Sequence, residues 1–185
     1  MDNGARSYRR FLDGDDNGIV EVIRDYKDGL MLFLNRYVNN IHIAEELTED
    51  TFFKLVTKKP RFVAEYSFKT WLYTIGRNVA LNYLKHNGSI VETPVEELRD
   101  LCADEYSIEY SYLREEQKVQ LNHALSRIHS EYATVLHLKY FEDMGNDQIA
   151  KVLNKNKRQV ENMLYQAKQR LKAKLEKEGF IYERL

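Results

Sequence analysis

The stretch "SFKTWLYTIGRNVALNYLK", residues 67–85, holds four aromatic residues and three Lys or Arg residues but no acid. Ser67 is a suitable N-cap, because its hydroxyl can accept a hydrogen bond from a backbone N–H group of the first turn. Phe68, Leu72, Ile75 and Val79 then recur at helical spacing. The stretch therefore predicts an amphipathic helix that buries these four side chains and leaves a basic face exposed.

That basic face has two interpretations. In the first it is the solvated side of a core helix, and we assign Phe68 and Trp71 to such a core. In the second it binds single-stranded nucleic acid, because aromatic rings stack on bases while cations neutralise phosphates. The residues predicted to be exposed and to bind, including those of the preceding loop, are Arg61, Phe62, Tyr66, Lys69, Tyr73, Arg77, Asn78 and Lys85.

Charge is unevenly distributed along the 185 residues, although the net charge is only −1. Residues 51–90 carry seven Lys or Arg and one acid, and residues 155–185 carry nine and four. Between them, residues 91–117 carry two cations and nine acids. Two basic blocks separated by an acidic one predict two anion-binding surfaces.

Helical periodicity dominates outside this acidic segment, and the chain has only two prolines. The prediction is an all-α fold of two small helical domains joined by an acidic linker. The first domain spans residues 1–87, the linker 88–112 and the second domain 113–185.

The second domain contains a candidate helix-turn-helix at residues 144–175. Asn154 suits a left-handed turn and Asn156 suits the next N-cap. Amide and arginine side chains at the start of a second helix suit base edges in the major groove. An ordinary helical hairpin with a solvated face is an equally good interpretation of the spacing. The exposed candidates are Lys157, Arg158, Gln159, Glu161, Asn162, Tyr165 and Gln166.

Signals for other classes of protein are weak. The single cysteine, Cys102, excludes an intrachain disulfide and fits a reducing compartment. No signal peptide or 18-residue apolar stretch is visible, so we expect no membrane insertion and a cytoplasmic location. The five histidines form no metal-binding spacing, and we expect His129 and His137 on helix surfaces. Nothing predicts an enzyme, a cofactor or a metal.

Two sets of segments resemble the extracytoplasmic-function group of bacterial sigma-70 factors. "YRRFLDGDDNGIVEVIRDYKDGLMLFLNRYV", "AEELTEDTF" and "SFKTWLYTIGRNVALNYL" are similar, in order and spacing, to the first conserved domain of this group. "ALSRIHSEYATVLHLKYFEDMGNDQIAKVL" and "VENMLYQAKQRLK" are similar to its second. The sequence departs from the usual pattern of this group at several positions. Asn82 replaces a typical Asp, Lys155 replaces an apolar turn residue, and Glu161 lies in the predicted recognition helix.

The resemblance implies a function for each segment. The first domain would bind the clamp helices of core RNA polymerase and open the minus-10 promoter element by capturing unstacked bases. The second domain would bind the minus-35 element as duplex, and the acidic linker would follow the RNA path. An anti-sigma protein is a usual partner in this group. The predicted polymerase-binding residues form an acidic ridge: Glu45, Glu46, Glu49 and Asp50.

Two other functions remain open at this stage. A helix-turn-helix regulator that binds duplex DNA without polymerase would explain the second basic block alone. A structural helical adaptor would explain neither block. The sequence favours a sigma factor, because the stretch 67–85 suits separated strands and the linker is long and acidic.

Overall fold

The computed structural model describes residues 3–63, 65–87 and 115–177, with main chain only at 115–120. Within these ranges the secondary structure is entirely helical, which confirms the predicted fold class. The predicted linker lies outside the described residues. The helices are α1 Asn3–Leu12, α2 Asn17–Val38, α3 Ile41–Lys58, α4 Phe68–Asn87, α5 Glu115–Ser126, α6 Ser130–Leu136, α7 Asn146–Leu153 and α8 Lys157–Lys177, with a π-helical turn, His137–Phe141, after α6.

The first half is a bundle in which α2 packs against α1, α3 and α4. The α2–α3 junction is short because Asn39 adopts a left-handed conformation and the Asn40 side chain caps α3 by accepting from two backbone N–H groups. Gly76 lies where α2 and α4 cross, and a Cβ there would come 2.8 Å from Leu30 Cδ1. Glycine lowers the helix propensity of α4, but at this position it allows α2 and α4 to pack closely.

Aromatic rings hold α4 in this bundle. Phe68 is fully buried, and its ring centroid lies 5.5 Å from that of Tyr8 and 5.3 Å from that of Trp71. Phe62 closes the cluster from the loop, 5.4 Å from Trp71 in an edge-on arrangement. Such tilted and edge-on pairs are the favoured geometries for aromatic rings. The core assignment of Phe68 and Trp71 is confirmed, although Trp71 is only half-buried.

The second half contains the predicted helix-turn-helix, α7 and α8. Asn154 has φ 53° and ψ 48°, and it ends α7 in the predicted left-handed turn. Asn156 and Gln159 then exchange hydrogen bonds of 2.9 Å with each other's backbone N–H groups, which caps α8. The buried side chains that pack the two helices together are those predicted: Ile149, Ala150, Leu153, Val160, Leu164 and Ala167.

The two halves also pack against each other. Helix α7 contacts α4, and α6 contacts α2, so that one hydrophobic cluster includes residues of both halves. This contact was not predicted, and it determines which side chains of α4 are exposed.

Candidate nucleic-acid interface

Only some of the residues on α4 and its preceding loop that were predicted to bind single-stranded nucleic acid are exposed in the structure. Arg61, Asn78 and Lys85 are exposed. Tyr73 is fully buried. The remaining candidates are half-buried: Phe62, Tyr66, Lys69 and Arg77.

The predicted exposure of Tyr73 is wrong. Its ring centroid lies 5.1 Å from that of Phe33 on α2, and its hydroxyl lies beside the carboxylate of Glu142 from the second half. Burial, followed by the nearby negative charge of Glu142, raises the pKa of Tyr73 well above its usual value of 10.0. Tyr73 directly follows the buried Leu72, so it lies at the edge of the apolar stripe, where a second packing partner can cover it.

Lys69 is engaged by the same residue of the second half. Its Nζ lies 2.7 Å from Glu142 Oε2 and donates to the Glu142 backbone carbonyl at 2.9 Å. Glu142 is only 8% exposed, so this ion pair is far less screened by water than a surface pair. A cation predicted to neutralise phosphate is therefore paired within the chain.

His137 completes this polar cluster, and its predicted surface position is wrong. It is 2% exposed, stacks on Phe141 at 5.4 Å, and places Nε2 3.3 Å from Glu142 Oε1 without the alignment of a hydrogen bond. Burial lowers the pKa of His137 even though the Glu142 carboxylate opposes this effect. Burial alone would raise the pKa of Glu142, but the contacts with His137 and Lys69 lower it to about 2.

A second set of contacts joins α7 to the loop before α4. The Gln148 Nε2 amide donates to Ser67 Oγ at 3.1 Å, while its Oε1 accepts from the Gly145 backbone N–H at 2.8 Å. Ser67 also accepts from the Thr70 N–H at 3.2 Å, which confirms it as the cap of α4. Lys151 lies over the Tyr66 ring, 5.0 Å from its centroid. Ser67 at the start of α4 and Gln148 in the first turn of α7 thus form a hydrogen bond between the two halves.

The candidate residues for duplex recognition lie where the sequence placed them, at the exposed start of α8. Three of them have intramolecular partners that the sequence did not reveal. Lys157 pairs with Asp147 at 3.1 Å, Gln159 caps the helix, and Gln166 accepts from the Tyr132 hydroxyl at 2.6 Å. All seven are exposed: Lys157, Arg158, Gln159, Glu161, Asn162, Tyr165 and Gln166.

Two further cations on α8 were missed. Lys168 lies 5.4 Å from the Tyr140 ring centroid, and Arg170 lies 4.8 Å from that of Tyr132. Both are exposed, and both extend the basic surface beyond the helix start. The basic block at 155–185 was the signal that could have located them.

The predicted acidic ridge lies on α3. Glu46, Glu49 and Asp50 are exposed, whereas Glu45 is half-buried and lies 3.4 Å from Lys27 Nζ. The exposed ring of Phe53 lies on the next turn and was not predicted as part of this surface. Ridge and ring border a groove of about 470 Å³ that is lined by Ile23, Lys27, Thr48, Glu49, Asp50, Phe52, Phe53 and Val56.

Across the described ranges, no group of three His, Cys, Asp or Glu side chains is arranged to hold a metal ion. No helix in the same part of the chain combines the length and apolar character needed to cross a bilayer.

Two protein-family models match the chain. The model described as "Sigma-70 region 2" matches residues 22–90, and "Sigma-70, region 4" matches residues 118–171. Together they cover more than half of the chain, and the matched segments correspond to the α2–α4 bundle and the helix-turn-helix half.

Similar proteins and structures agree with these matches. The RNA polymerase sigma factor YlaC of Bacillus subtilis is 25% identical, with 87% of this chain and 94% of YlaC covered. The ECF RNA polymerase sigma factor SigW of the same organism is 22% identical, with 88% and 91% covered. In a complex of the Bartonella quintana sigma factor RpoE with the anti-sigma factor NepR, a chain 19% identical matches with a TM-score of 0.63, with 84% of this chain and 95% of that chain covered.

The fold and its two candidate DNA surfaces therefore belong to a promoter-recognition subunit of RNA polymerase. The chain is a member of the sigma-70 family, in the extracytoplasmic-function group, and it directs promoter-specific initiation of transcription.

Proposed function

We propose that promoter recognition is divided between the two halves of the chain. Residues 1–87 bind core polymerase and separate the minus-10 strands, residues 113–185 bind the minus-35 duplex, and residues 88–112 connect them. The observation that supports this most strongly is the presence of two basic surfaces of different chemistry in one chain. The region of α4 and its loop combines exposed cations with half-buried aromatic rings, whereas the surface of α8 is rich in exposed amides and cations.

For the minus-10 element we propose a surface on α4 and the loop before it. Arg61 and Lys85 are exposed cations at its two ends, and Asn78 is an exposed amide between them. Cations suit the phosphates, and an amide can bond the edge of an unstacked base. Phe62, Tyr66, Lys69, Tyr73 and Arg77 complete the proposed surface, and three of them, Tyr66, Lys69 and Tyr73, contact the second half in the structure.

For the minus-35 element we propose the exposed start of α8. Lys157 and Arg158 lie at the helix N-terminus, where phosphate or guanine can be reached. Asn162 and Glu161 follow one turn later, and a carboxylate at this position can accept from a cytosine amine. Gln159, Tyr165 and Gln166 lie on the same exposed side.

For the polymerase we propose the acidic ridge of α3, because exposed carboxylates complement a basic coiled coil. Glu46, Glu49 and Asp50 are available there, while Glu45 is already close to Lys27. The exposed Phe53 next to them adds an apolar contact. An aromatic anchor beside a charged rim is a common composition for a protein interface.

We further propose that an anti-sigma protein controls the chain. The structures it resembles include RpoE bound to the anti-sigma factor NepR and CnrH bound to the cytosolic domain of CnrY, the latter with a TM-score of 0.61 at 16% identity. The chain acts in the cytoplasm, where polymerase and promoters meet, and it performs no catalysis and needs no cofactor of its own.

A binding experiment separates this function from that of a polymerase-independent regulator. The chain is mixed with core polymerase and with duplex DNA, separately and together, and complexes are resolved by gel filtration. We expect a stable complex with core polymerase and promoter-specific binding only when polymerase is present. Tight, sequence-specific duplex binding by the chain alone, with no polymerase complex, would establish the regulator instead.

A further inference from the structure

We propose that Tyr132 of α6 is a positioning residue for promoter recognition. Its hydroxyl fixes the orientation of the Gln166 amide on α8, so that Gln166 offers hydrogen-bond donors to the minus-35 duplex. The inference rests on the proposed role of α8 in binding that duplex. It adds the kind of base edge that Gln166 reads, and a residue outside α8 that determines it.

Tyr132 contacts two successive turns of α8. Its hydroxyl donates to Gln166 Oε1 at 2.6 Å, and the Arg170 guanidinium lies over its ring, 4.8 Å from the centroid. Gln166 and Arg170 are four residues apart, so both lie on the same face of the helix. A single side chain of α6 therefore holds this face of α8 at two points.

The tyrosine ring is itself held in place. Tyr132 is half-buried in the first turn of α6, and His129 caps that helix by accepting a hydrogen bond from the Glu131 N–H. The His129 ring meets the Tyr132 ring at a steep angle, with centroids 6.2 Å apart. Because His129 and Arg170 both restrain the ring, its hydroxyl has a defined position relative to α8.

The hydroxyl of Tyr132 is well suited to donate. A separation of 2.6 Å lies within the usual range of O–H···O hydrogen bonds and is shorter than the usual N–H···O bond. The positive charge of Arg170 over the ring draws electron density from it, which strengthens donation by the hydroxyl. The Gln166 oxygen is therefore the atom that faces Tyr132, and the amide nitrogen lies on the other branch of the side chain.

This orientation limits what Gln166 can recognise. A free glutamine amide can offer either its oxygen or its nitrogen, and with both it pairs with the N6 amine and N7 of adenine. In Gln166 the oxygen is engaged by Tyr132, whereas the two donors of Nε2 belong to an exposed side chain. Donors suit N7 and O6 of guanine or O4 of thymine, and they cannot pair with the N4 amine of cytosine. Gln166 is therefore assigned to a guanine or a thymine.

The base position that Gln166 reads can be told apart from that of Asn162. The two residues are four apart on the exposed side of α8, which is about 6 Å along the helix axis. Successive base pairs are only about 3.4 Å apart. A change at Gln166 should therefore alter the preference at a position that Asn162 does not read.

Binding of the holoenzyme to a randomised minus-35 library tests this inference. Four chains are compared: wild type, Tyr132→Phe, Gln166→Ala and the double variant. Tyr132→Phe keeps the ring under Arg170 and removes only the hydroxyl. Tyr140→Phe is the matched control, because Tyr140 packs under another cation of α8, with Lys168 Nζ 5.4 Å from its ring centroid. Circular dichroism checks that helicity is unchanged.

We expect the wild type to prefer guanine or thymine at one base position. Tyr132→Phe should lose about fivefold of that discrimination, the typical effect of one hydrogen bond, because the freed amide can also accept from cytosine or adenine. Gln166→Ala should lose the preference at this position, and Tyr132→Phe should then add nothing. Tyr140→Phe should retain the wild-type preference.

Several results would overturn the inference. One is an unchanged preference in Tyr132→Phe, and another is a loss of affinity that is equal for every sequence, since the hydroxyl would then only support the packing of α8. A third is the same change of preference when Gln166 is already alanine. Wild-type preference for cytosine at the Gln166 position would also overturn it. Wild-type holoenzyme without any minus-35 preference would contradict the proposed function itself, and this inference with it.

Gln166→Glu provides a second readout at the same position. A carboxylate has two acceptor oxygens and no donor, so Tyr132 can donate to one oxygen while the other faces the DNA. We expect the preference to change from guanine or thymine to cytosine, whose N4 amine donates. A loss of affinity for all sequences with the original preference retained would show that Gln166 does not read this base, which would contradict the inference.

Discussion

Asn78 and Tyr73 lie five residues apart on α4 and differ in what they can reach. Asn78 is exposed and can meet a base without any rearrangement. Tyr73 is fully buried between Phe33 and the Glu142 carboxylate, so it reaches solvent only if the second half withdraws. Substitutions at the two positions therefore test different steps of promoter opening.

Replacing Asn78 by alanine should impair strand separation without affecting the fold. The loss of one or two hydrogen bonds to a base corresponds to about 1 kcal/mol, or several-fold in open-complex formation. Permanganate reactivity of minus-10 thymines measures it. Asn82→Ala, at an exposed amide one turn further along α4, is the matched control. Equal reactivity in wild type and Asn78→Ala would remove Asn78 from the minus-10 surface.

For individual helices and turns, the confirmed predictions are those that depend only on residues close together in sequence. Ser67 caps α4, Asn154 forms the left-handed turn, and Asn156 caps α8, as expected, because each role depends on a side chain and the backbone within three residues of it. The π-helical turn that follows α6 was not predicted. It carries His137 inward to Glu142, a partner that helical periodicity at α6 does not reveal.

Helix α3 is expected to dock on polymerase through its carboxylates. Glu46→Lys combined with Glu49→Lys should weaken core binding about tenfold or more, because like charges would then face each other across the interface. Helicity by circular dichroism should not change, since both side chains are exposed. Asp13→Lys with Asp16→Lys introduces the same charge change on exposed residues of the α1–α2 loop and should leave affinity intact. Unchanged core affinity in the α3 variant would exclude the ridge.

Substitutions on α8 should distinguish residues that contact phosphates from residues that contact bases. Lys157→Ala should weaken binding to every minus-35 sequence and reduce the salt dependence by about one unit of slope. Asn162→Ala should relax the preference at one or two base positions, each equivalent to about 1–3 kcal/mol. Binding of holoenzyme to a randomised minus-35 library measures both. A uniform loss across all sequences for Asn162→Ala would show that Asn162 does not read bases.

At the scale of the whole molecule, the sequence predicts each half better than the contact between them. Periodicity identifies the apolar stripes of α4, α7 and α8, but Lys69 and Glu142 are 73 residues apart in sequence and neither belongs to a periodic pattern. Glycine at position 29 permits the approach of Tyr73 and Glu142 for steric reasons that appear only once α2 and α4 are packed. The buried states of Tyr73 and His137 follow from that contact, so sequence reasoning placed both on the surface.

The buried polar cluster predicts how stability depends on pH. His137 has a lowered pKa in the folded chain, so the unfolded chain binds more protons below about 6.5, and stability falls as pH drops below that value. Lys69 and Arg36 reinforce this effect and Glu142 opposes it. The depressed pKa of Glu142, about 2 against 4.5, adds a further loss below pH 4.5.

Urea unfolding between pH 4 and 8 measures this dependence. His137→Gln should flatten the part of the curve between pH 5 and 6.5, with the exposed His129→Gln as its control. A wild-type curve that does not change between pH 5 and 8 would contradict the buried, neutral state of His137.

Run-off transcription from a library of randomised promoters tests whether the chain directs initiation through two separate DNA elements. Purified core polymerase is supplied with the chain or without it, and the starts and upstream sequences of the transcripts are determined. We expect transcripts only when the chain is present, each starting at a fixed distance downstream of two motifs, one near −35 and one near −10. Transcripts that do not depend on the chain, or that share a single upstream motif, would contradict this expectation.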